Sequence, residues 1–120
     1  MKILKRDKRE VDFDHLKIKN AIEKAFDSVG KTYDDAVIAS YALDIKESLL
    51  KNYDPKNPPT VEEIQDLVEL KLIDEKEIDV VKAYILYRNR HSEERQILDK
   101  FANFITDENV LKILKFVRKN

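Results

Sequence analysis

The first nine residues carry the side chains best suited to chemistry, because five of them are cationic and one acid stands among them. The cations are Lys2, Lys5, Arg6, Lys8 and Arg9, and the acid is Asp7. An arginine guanidinium can donate hydrogen bonds to two phosphate oxygens at once, and a lysine adds a point charge. The pattern indicates an anion site, but a solvated edge strand that uses lysine to block edge-to-edge pairing would look the same.

Lys17 is a further candidate, because it falls in the first turn of the helix predicted after Asp14. A cation there opposes the helix dipole, and a local misfit of this kind is expected at a working site. Its ammonium group and the unpaired amides of the first turn could face the same anion. We therefore expect Lys17 to join the N-terminal cations around a phosphate group.

A second group of basic and aromatic residues lies farther along the chain. Tyr84, Tyr87 and Arg88 are three and four positions apart, so they share one face of a helix, and Arg90 follows closely. One interpretation is amphipathic packing, with the tyrosine rings in the core and the arginines in water. The other is that an arginine adds a second phosphate contact, and the spacing leaves both open.

Residue types that support catalysis are scarce. The chain has no cysteine and two histidines, which excludes disulfides, a thiolate nucleophile and cysteine-based metal sites. Its single glycine leaves no glycine-rich phosphate loop. Acidic pairs such as Glu62-Glu63 are better explained as the first turns of helices. We therefore expect no enzymatic activity and no protein-held metal site.

The elements that must position these residues begin with two short strands. Alternating polarity predicts strands at residues 2–6 and 9–13, joined by a tight turn at Asp7-Lys8. From Asp14, which serves as the N-cap, the apolar spacing becomes helical. Gly30 is expected to end this first helix.

The rest of the chain has helical spacing, and a single glycine argues against a fold with many tight turns. A second helix is predicted over about residues 33–51, followed by the proline-containing loop 52–59. A capping box at Thr60-Val61-Glu62-Glu63 opens a third helix, and a fourth covers residues 78–87 with no break beyond them. Thr106 or Asp107 is predicted to cap a last short helix.

Composition limits the class of protein. Charged residues make up 39% of the 120 residues, both signs are interspersed, and the net charge is −1. A near-zero charge argues against a large nucleic-acid footprint, so nucleic acid is an unexpected partner. The N-terminus lacks a signal region, and no apolar run approaches the roughly 18 residues of a membrane span. We therefore expect one domain in the cytoplasm, without membrane attachment.

Three segments together resemble the ATP-cone domain, and they occur in the order and at the separations typical of that family. They are ILKRDKREVDFD (residues 3–14, followed by Lys17-Ile18 and Ala21-Ile22), TVEEIQDLVE (residues 60–69) and VKAYILYR (residues 81–88). The resemblance covers about residues 1–92, which we take as the nucleotide-binding domain. Residues 93–120 lie beyond it as a C-terminal helical extension.

The resemblance implies an α+β fold that is mostly helical, with a small three-stranded β cap on a bundle of about four helices. It implies a non-catalytic regulatory module that binds ATP or dATP, usually with Mg²⁺. The family is best known as the allosteric activity switch of ribonucleotide reductases. The expected partners are an adenine nucleotide and either a reductase subunit or a second copy of the chain.

The resemblance also assigns roles near the first strand and the first helix. Lys5 and Arg6 would contact phosphates from the first strand, and Lys17 would do so from the first helix. Ile3 would line the adenine side, and Asp14 would sit near the base or the ribose.

Two later segments would complete the site. Val61, Ile64 and Gln65 would form the wall opposite the β cap, and Arg88 or Arg90 would close over the phosphates.

Departures from the family pattern leave alternatives open. Lys8 stands where the family usually has glycine, which puts the geometry of the turn in doubt. The large catalytic domain that normally follows is absent from the sequence, so the chain is expected to be a free-standing regulator or a shortened relative. Residues 93–120 would bind a partner, self-associate or pack back on the bundle. The alternative function is a small helical interaction module that keeps the fold without binding nucleotide.

Overall fold

The computed structural model describes residues 1–105, except for the side chains at 92, 95 and 98–105. This part of the chain forms two short strands and four helices. In chain order they are β1 (Lys2–Leu4), β2 (Glu10–Asp12), α1 (His15–Ser28), α2 (Asp35–Lys51), α3 (Val61–Asp74) and α4 (Ile78–Ile105). The mostly helical α+β class predicted from the sequence is confirmed.

The hairpin of β1 and β2 is antiparallel, and it is shorter than predicted because residues 5–9 form its connection. Lys2 pairs with Asp12 at its open end, where Lys2 Nζ lies 2.6 Å from Asp12 Oδ1. In the connection, the Lys5 amide donates to the Arg9 carbonyl and the Lys8 amide donates to the Lys5 carbonyl, both at 2.9 Å. Lys8 has a φ of 67°. The prediction of a turn at Asp7-Lys8 alone is therefore wrong, and a wider turn replaces it.

The described sheet has two strands, and the three-stranded cap that was predicted is not formed as a full ladder. β1 meets residues before α3 at one isolated parallel bridge between Leu4 and Thr60. The Leu4 amide donates to the Pro59 carbonyl at 2.9 Å. Pro58 and Pro59 have no amide hydrogen, so this segment cannot extend the pairing as a third strand would. The contact nevertheless places the end of β1 beside the start of α3.

The first turns of α1 and α3 are capped as the sequence predicts. The Asp14 carboxylate accepts a hydrogen bond from the Leu16 amide at 3.0 Å. At α3, Thr60 Oγ1 accepts from the Glu63 amide at 3.1 Å, and Glu63 Oε2 accepts from the Thr60 amide at 3.2 Å. Reciprocal bonds of this kind satisfy two otherwise unpaired groups and fix where the helix begins.

Two helices end in left-handed residues. Gly30, with a φ of 68°, ends α1, and its amide and that of Lys31 donate to the carbonyls of Asp27 and Phe26 at 3.0 and 3.1 Å. This is a Schellman motif, and it confirms the predicted stop. Lys76 takes the corresponding place after α3 with a φ of 59°. A lysine there bears a steric cost that glycine avoids.

The core lies among the helices and contains apolar and aromatic side chains at the spacing predicted for α1, α2 and α3. No polar or charged residue of the described chain is fully buried. The five largest side chains with almost no exposed surface are Ile22, Ile38, Val68, Leu72 and Val80. Burial of such side chains contributes roughly 1.5–3 kcal/mol each, so this apolar packing is the main source of stability.

Ion pairs at the edges of this core link the helices. Lys19 Nζ on α1 lies 3.2 Å from Asp35 Oδ2 on α2 and 3.5 Å from Glu23 Oε1 on α1. Lys71 Nζ on α3 lies 2.8 Å from Asp44 Oδ2 on α2. The hydrogen bond from Lys19 lowers the pKa of Asp35, and the hydrogen bond to Asp44 raises the pKa of Lys71.

The chain divides into two compact units, Met1–Tyr87 and Arg88–Asn120. The first contains both strands, three complete helices and the start of α4, and the described part of the second is the continuation of α4 to Ile105. The continuation of this helix past Arg90 is therefore confirmed. The helix predicted from Thr106 or Asp107 lies outside the described residues, and the predicted division into residues 1–92 and 93–120 stays a prediction.

None of the helices within residues 1–105 is both long enough and apolar enough to span a membrane.

Candidate functional site

The five N-terminal cations differ in the partners that they have in the hairpin. Lys2 is paired with Asp12 across the strands, and Arg9 Nε lies 2.6 Å from Asp7 Oδ2. The Arg9 amide also donates to Asp7 at 3.1 Å, and this bond is the main cause that lowers the pKa of Asp7. Asp7 therefore stabilises the turn through its bonds to the backbone and side chain of Arg9. Lys2 and Arg9 are structural cations, which leaves Lys5 and its neighbours as candidates for a ligand.

Lys5 follows directly after β1 and is half-buried at the base of the turn. Its side chain has no hydrogen bond or ion pair within the described residues. Its positive charge contributes to the lowered pKa of Asp7, but the carboxylate of Asp7 is bonded to Arg9. This side chain is therefore well suited to an anion supplied from outside.

Arg6 reaches from the turn to α3, where its Nε lies 2.6 Å from Glu62 Oε1. Both side chains are somewhat more than a third exposed. Glu62 stands in the first turn of α3 and is 56 positions away in sequence. The predicted phosphate ligand Arg6 is thus already engaged with a carboxylate of the segment predicted to form the opposite wall.

Lys17 lies in the first turn of α1, as predicted, and its side chain is exposed. Within the part of the chain that the structure describes, its ammonium group has no hydrogen bond or ion pair. The nearby Asp14 carboxylate accepts from the Leu16 amide, and α1 has no acidic residue in its first turn. The start of α1 therefore combines a positive helix end with an uncompensated cation.

The apolar positions assigned to the base lie where β1 and α3 meet the core. Ile3 is half-buried and packs against the core cluster. Ile64 is 7% exposed and belongs to the core, so only a small edge of it could touch a ligand. Val61 is half-buried at the start of α3.

Gln65 is the most informative residue of the wall. Its side-chain oxygen Oε1 is buried and has no hydrogen-bond partner among the described residues. A buried acceptor without a donor costs about 1–3 kcal/mol. A ligand that brings an N–H group to this oxygen would recover that cost.

Arg88 and Arg90 both lie on α4, in the second unit. Arg88 is half-buried and Arg90 is exposed. Tyr84 is 4% exposed and belongs to the core, which supports amphipathic packing for this tyrosine, whereas Tyr87 is exposed. Contact of either arginine with phosphate stays a prediction.

Glu62 is the residue that sequence reasoning missed, because Glu62-Glu63 was explained only as a helix first turn. Glu63 does close the capping box, but Glu62 pairs with Arg6. No local spacing signals a contact between residues so far apart in the chain. The sequence offers one signal for this contact: a cation in residues 3–14 and an acid in residues 60–69, two segments that a shared site would bring together.

A cleft of about 380 Å³ opens elsewhere, between the end of α2, the following loop and the outer face of α3. Its lining residues are Ser48, Leu49, Asn52, Tyr53, Asn57, Pro59, Glu63, Asp66 and Leu67. None of the predicted site residues lines it. The cleft and the predicted site therefore share no lining residue, although they meet α3 at the neighbouring positions Glu63 and Ile64.

The hairpin turn thus presents Arg6 to the first turn of α3, whereas the first turn of α1, which carries Lys17, follows the open end of the hairpin. The sequence profile of the ATP cone domain matches residues 1–93 of this chain. The chain therefore belongs to the ATP-cone family. In ribonucleotide reductases this domain is an allosteric regulatory domain and not part of the catalytic machinery.

Two similar proteins are ribonucleotide reductases. The chain is 32% identical over 123 residues to the ribonucleoside-diphosphate reductase subunit alpha of Treponema pallidum, a match that covers 100% of this chain and 15% of the relative. It is 35% identical over 122 residues to the vitamin B12-dependent ribonucleoside-diphosphate reductase of Thermoplasma acidophilum, covering 94% of this chain and 15% of that protein. The chain thus spans about one seventh of the length of these relatives.

Proposed function

We propose that this chain binds ATP or dATP and acts as an allosteric switch for ribonucleotide reduction. The observation that carries the proposal is a pair of lysines, Lys5 and Lys17, whose ammonium groups make no hydrogen bond or ion pair within the described residues. Both stand at positions that the ATP-cone resemblance assigns to phosphate binding. In this proposal the triphosphate lies against the hairpin turn and the start of α1.

The phosphates would be held by three cations of different character. Lys5 and Lys17 supply point charges, and Arg6 supplies a planar fork. Charge-assisted hydrogen bonds contribute on the order of 1.5–3 kcal/mol each. The loss of two such contacts would therefore weaken binding about a hundredfold or more.

The adenine base would lie against the apolar side of the site, formed by Ile3, Val61 and the exposed edge of Ile64. The buried Oε1 of Gln65 is an acceptor, and the exocyclic amine of adenine is a donor. Asp14 would stand near the base or the ribose. A purine with an amine at this position would satisfy Gln65, whereas one with a carbonyl would not.

Magnesium would accompany the nucleotide and would be held mainly by phosphate oxygens and water. Among the described residues, no three histidine or acidic side chains come together as a metal site. The side chains of the domain would therefore contribute positive charge. This charge would neutralise the part of the phosphate charge that Mg²⁺ leaves uncompensated.

The switch requires that the nucleotide bind one state of the domain more tightly than another. The partner that responds would be a ribonucleotide reductase subunit or a second copy of the chain. The similarity to reductases over nearly the whole chain supports the first choice.

The test is calorimetric titration with ATP and dATP in the presence of Mg²⁺, using the double variant Lys5→Ala with Arg6→Ala. We expect the affinity to fall about a hundredfold while the fold is retained. The control is Lys24→Ala with Lys82→Ala, which removes the same charge at exposed positions of α1 and α4. An unchanged affinity in the first variant would reject the site.

A second candidate function is a helical interaction module that does not bind nucleotide. It is favoured by large apolar side chains that stand in solvent, among them Leu86, Leu70 and Leu16 at 68%, 61% and 53% exposure. Thermal unfolding separates the two candidates. A nucleotide at a hundred times its dissociation constant stabilises a folded domain by about 2.7 kcal/mol, whereas the interaction module would unfold at the same temperature with and without it.

A further inference from the structure

The ion pair between Arg6 and Glu62 occupies one of the cations that the proposed site requires. We propose that Glu62 is a built-in competitor of the ligand phosphates: its carboxylate holds Arg6 until a polyphosphate displaces it. This inference rests on the proposed function, because it concerns how the same site is regulated. It assigns to Glu62 a role in setting the affinity of the site.

The geometry fits such a competition. Arg6 Nε lies 2.6 Å from Glu62 Oε1, a distance typical of a charge-assisted bond, and phosphate oxygens accept from guanidinium groups in the same way. Both side chains are more than a third exposed. Exposed pairs are screened and contribute little, so an incoming polyphosphate can replace this one.

The other acids nearby are committed elsewhere. Asp7 is bonded to Arg9 within the turn, and Glu63 completes the capping box with Thr60. Glu62 carries the carboxylate that reaches Arg6, and the cap of α3 does not depend on it. β1 is joined to the start of α3 by backbone contacts at Leu4, which would persist when the ion pair opens.

The exchange would connect ligand binding to α3. When a phosphate takes Arg6, the carboxylate of Glu62 loses this bond and remains at the positive end of α3. The first turn of this helix then experiences a different charge environment in the bound and unbound states. A side chain with this property provides a difference between states of the kind that a switch needs.

The experiment is calorimetric titration of the full chain with ATP and Mg²⁺, comparing the unmodified chain with Glu62→Gln. We expect the dissociation constant to fall about two- to fivefold, the range that the loss of an exposed ion pair supplies. The matched control is Glu47→Gln, which removes the same charge from an exposed position on α2. This control is expected to change the dissociation constant by much less.

A double-variant cycle tests whether Glu62 acts through Arg6. In the Arg6→Ala background, Glu62→Gln is expected to have no more effect than Glu47→Gln. If the unmodified chain binds ATP and Glu62→Gln binds equally or more weakly, the competitor role is wrong and the proposed function stands. An equal gain with and without Arg6 also overturns it, because Glu62 then acts by its field alone. If neither protein binds ATP, the proposed function fails and the competitor role with it.

Discussion

Replacing Lys8 by glycine is expected to stabilise the chain. Lys8 has a φ of 67°, in the left-handed region where its Cβ crowds the backbone, and it lies in the turn that presents Lys5 and Arg6. Its amide donates to the Lys5 carbonyl, so the turn keeps this conformation in spite of the strain. Glycine has no Cβ and adopts the same conformation without that cost.

The size of the effect follows from two opposing contributions. A left-handed conformation costs an L-residue roughly 1–2 kcal/mol. The greater freedom of glycine in the unfolded chain returns roughly 0.5–1 kcal/mol of this. The net gain in the free energy of unfolding is therefore about 0.5–1 kcal/mol. Lys8→Ala is the control, because it removes the same charge and keeps the Cβ.

The assay is urea unfolding of the three proteins followed by circular dichroism. For a chain of this size the denaturant slope is about 1–2 kcal/mol per molar urea, so Lys8→Gly raises the midpoint by roughly 0.5 M. Lys8→Ala is expected to leave the midpoint nearly unchanged. Equal midpoints for the glycine and alanine variants would show that the backbone at this position carries no strain, and the argument would be refuted.

Two further predictions concern stability. Thr60→Ala removes the hydroxyl that accepts from the Glu63 amide, so we expect the free energy of unfolding to fall by about 1 kcal/mol. Thr60→Ser keeps this hydrogen bond and is the control. An equal loss of stability in both variants would contradict the capping role. The hydrogen bond from Lys19 lowers the pKa of Asp35 in the folded chain below its ordinary 3.8. The ionised Asp35 therefore stabilises the fold above pH 3.8, and this stabilisation is lost as the pH falls through the pKa of Asp35 in the folded chain. Urea unfolding at a series of pH values should therefore show a shallower acid-side decline for Asp35→Asn, and an unchanged decline would count against the pair.

Much of the helical framework could be predicted because its signals are local. The spacing of Ile18 and Ile22 identified the buried face of α1, and the Asp14 and Gly30 caps marked its ends. The capping box of Thr60 and Glu63 likewise marked the start of α3. Each of these signals depends on residues within a few positions of one another, which the sequence displays directly.

The features that were missed depend on long-range geometry or on unfavourable conformations. A left-handed Lys8 goes against the intrinsic preference of lysine, so the sequence indicated a narrower turn. The pairing of Leu4 with Thr60 stops after one bridge, where the prolines end it. Arg6 and Glu62 meet close to that bridge, and no spacing rule connects residues 56 positions apart.

The apolar character of the core has a mechanical consequence. No polar residue of the described chain is fully buried, so directional bonds do not lock the helices into one register from within. At the periphery, ion pairs such as Lys19–Asp35 and Lys71–Asp44 add directional contacts between helices, and water and salt weaken these contacts. Salt is therefore expected to loosen these peripheral links between the helices while the apolar packing stays in place.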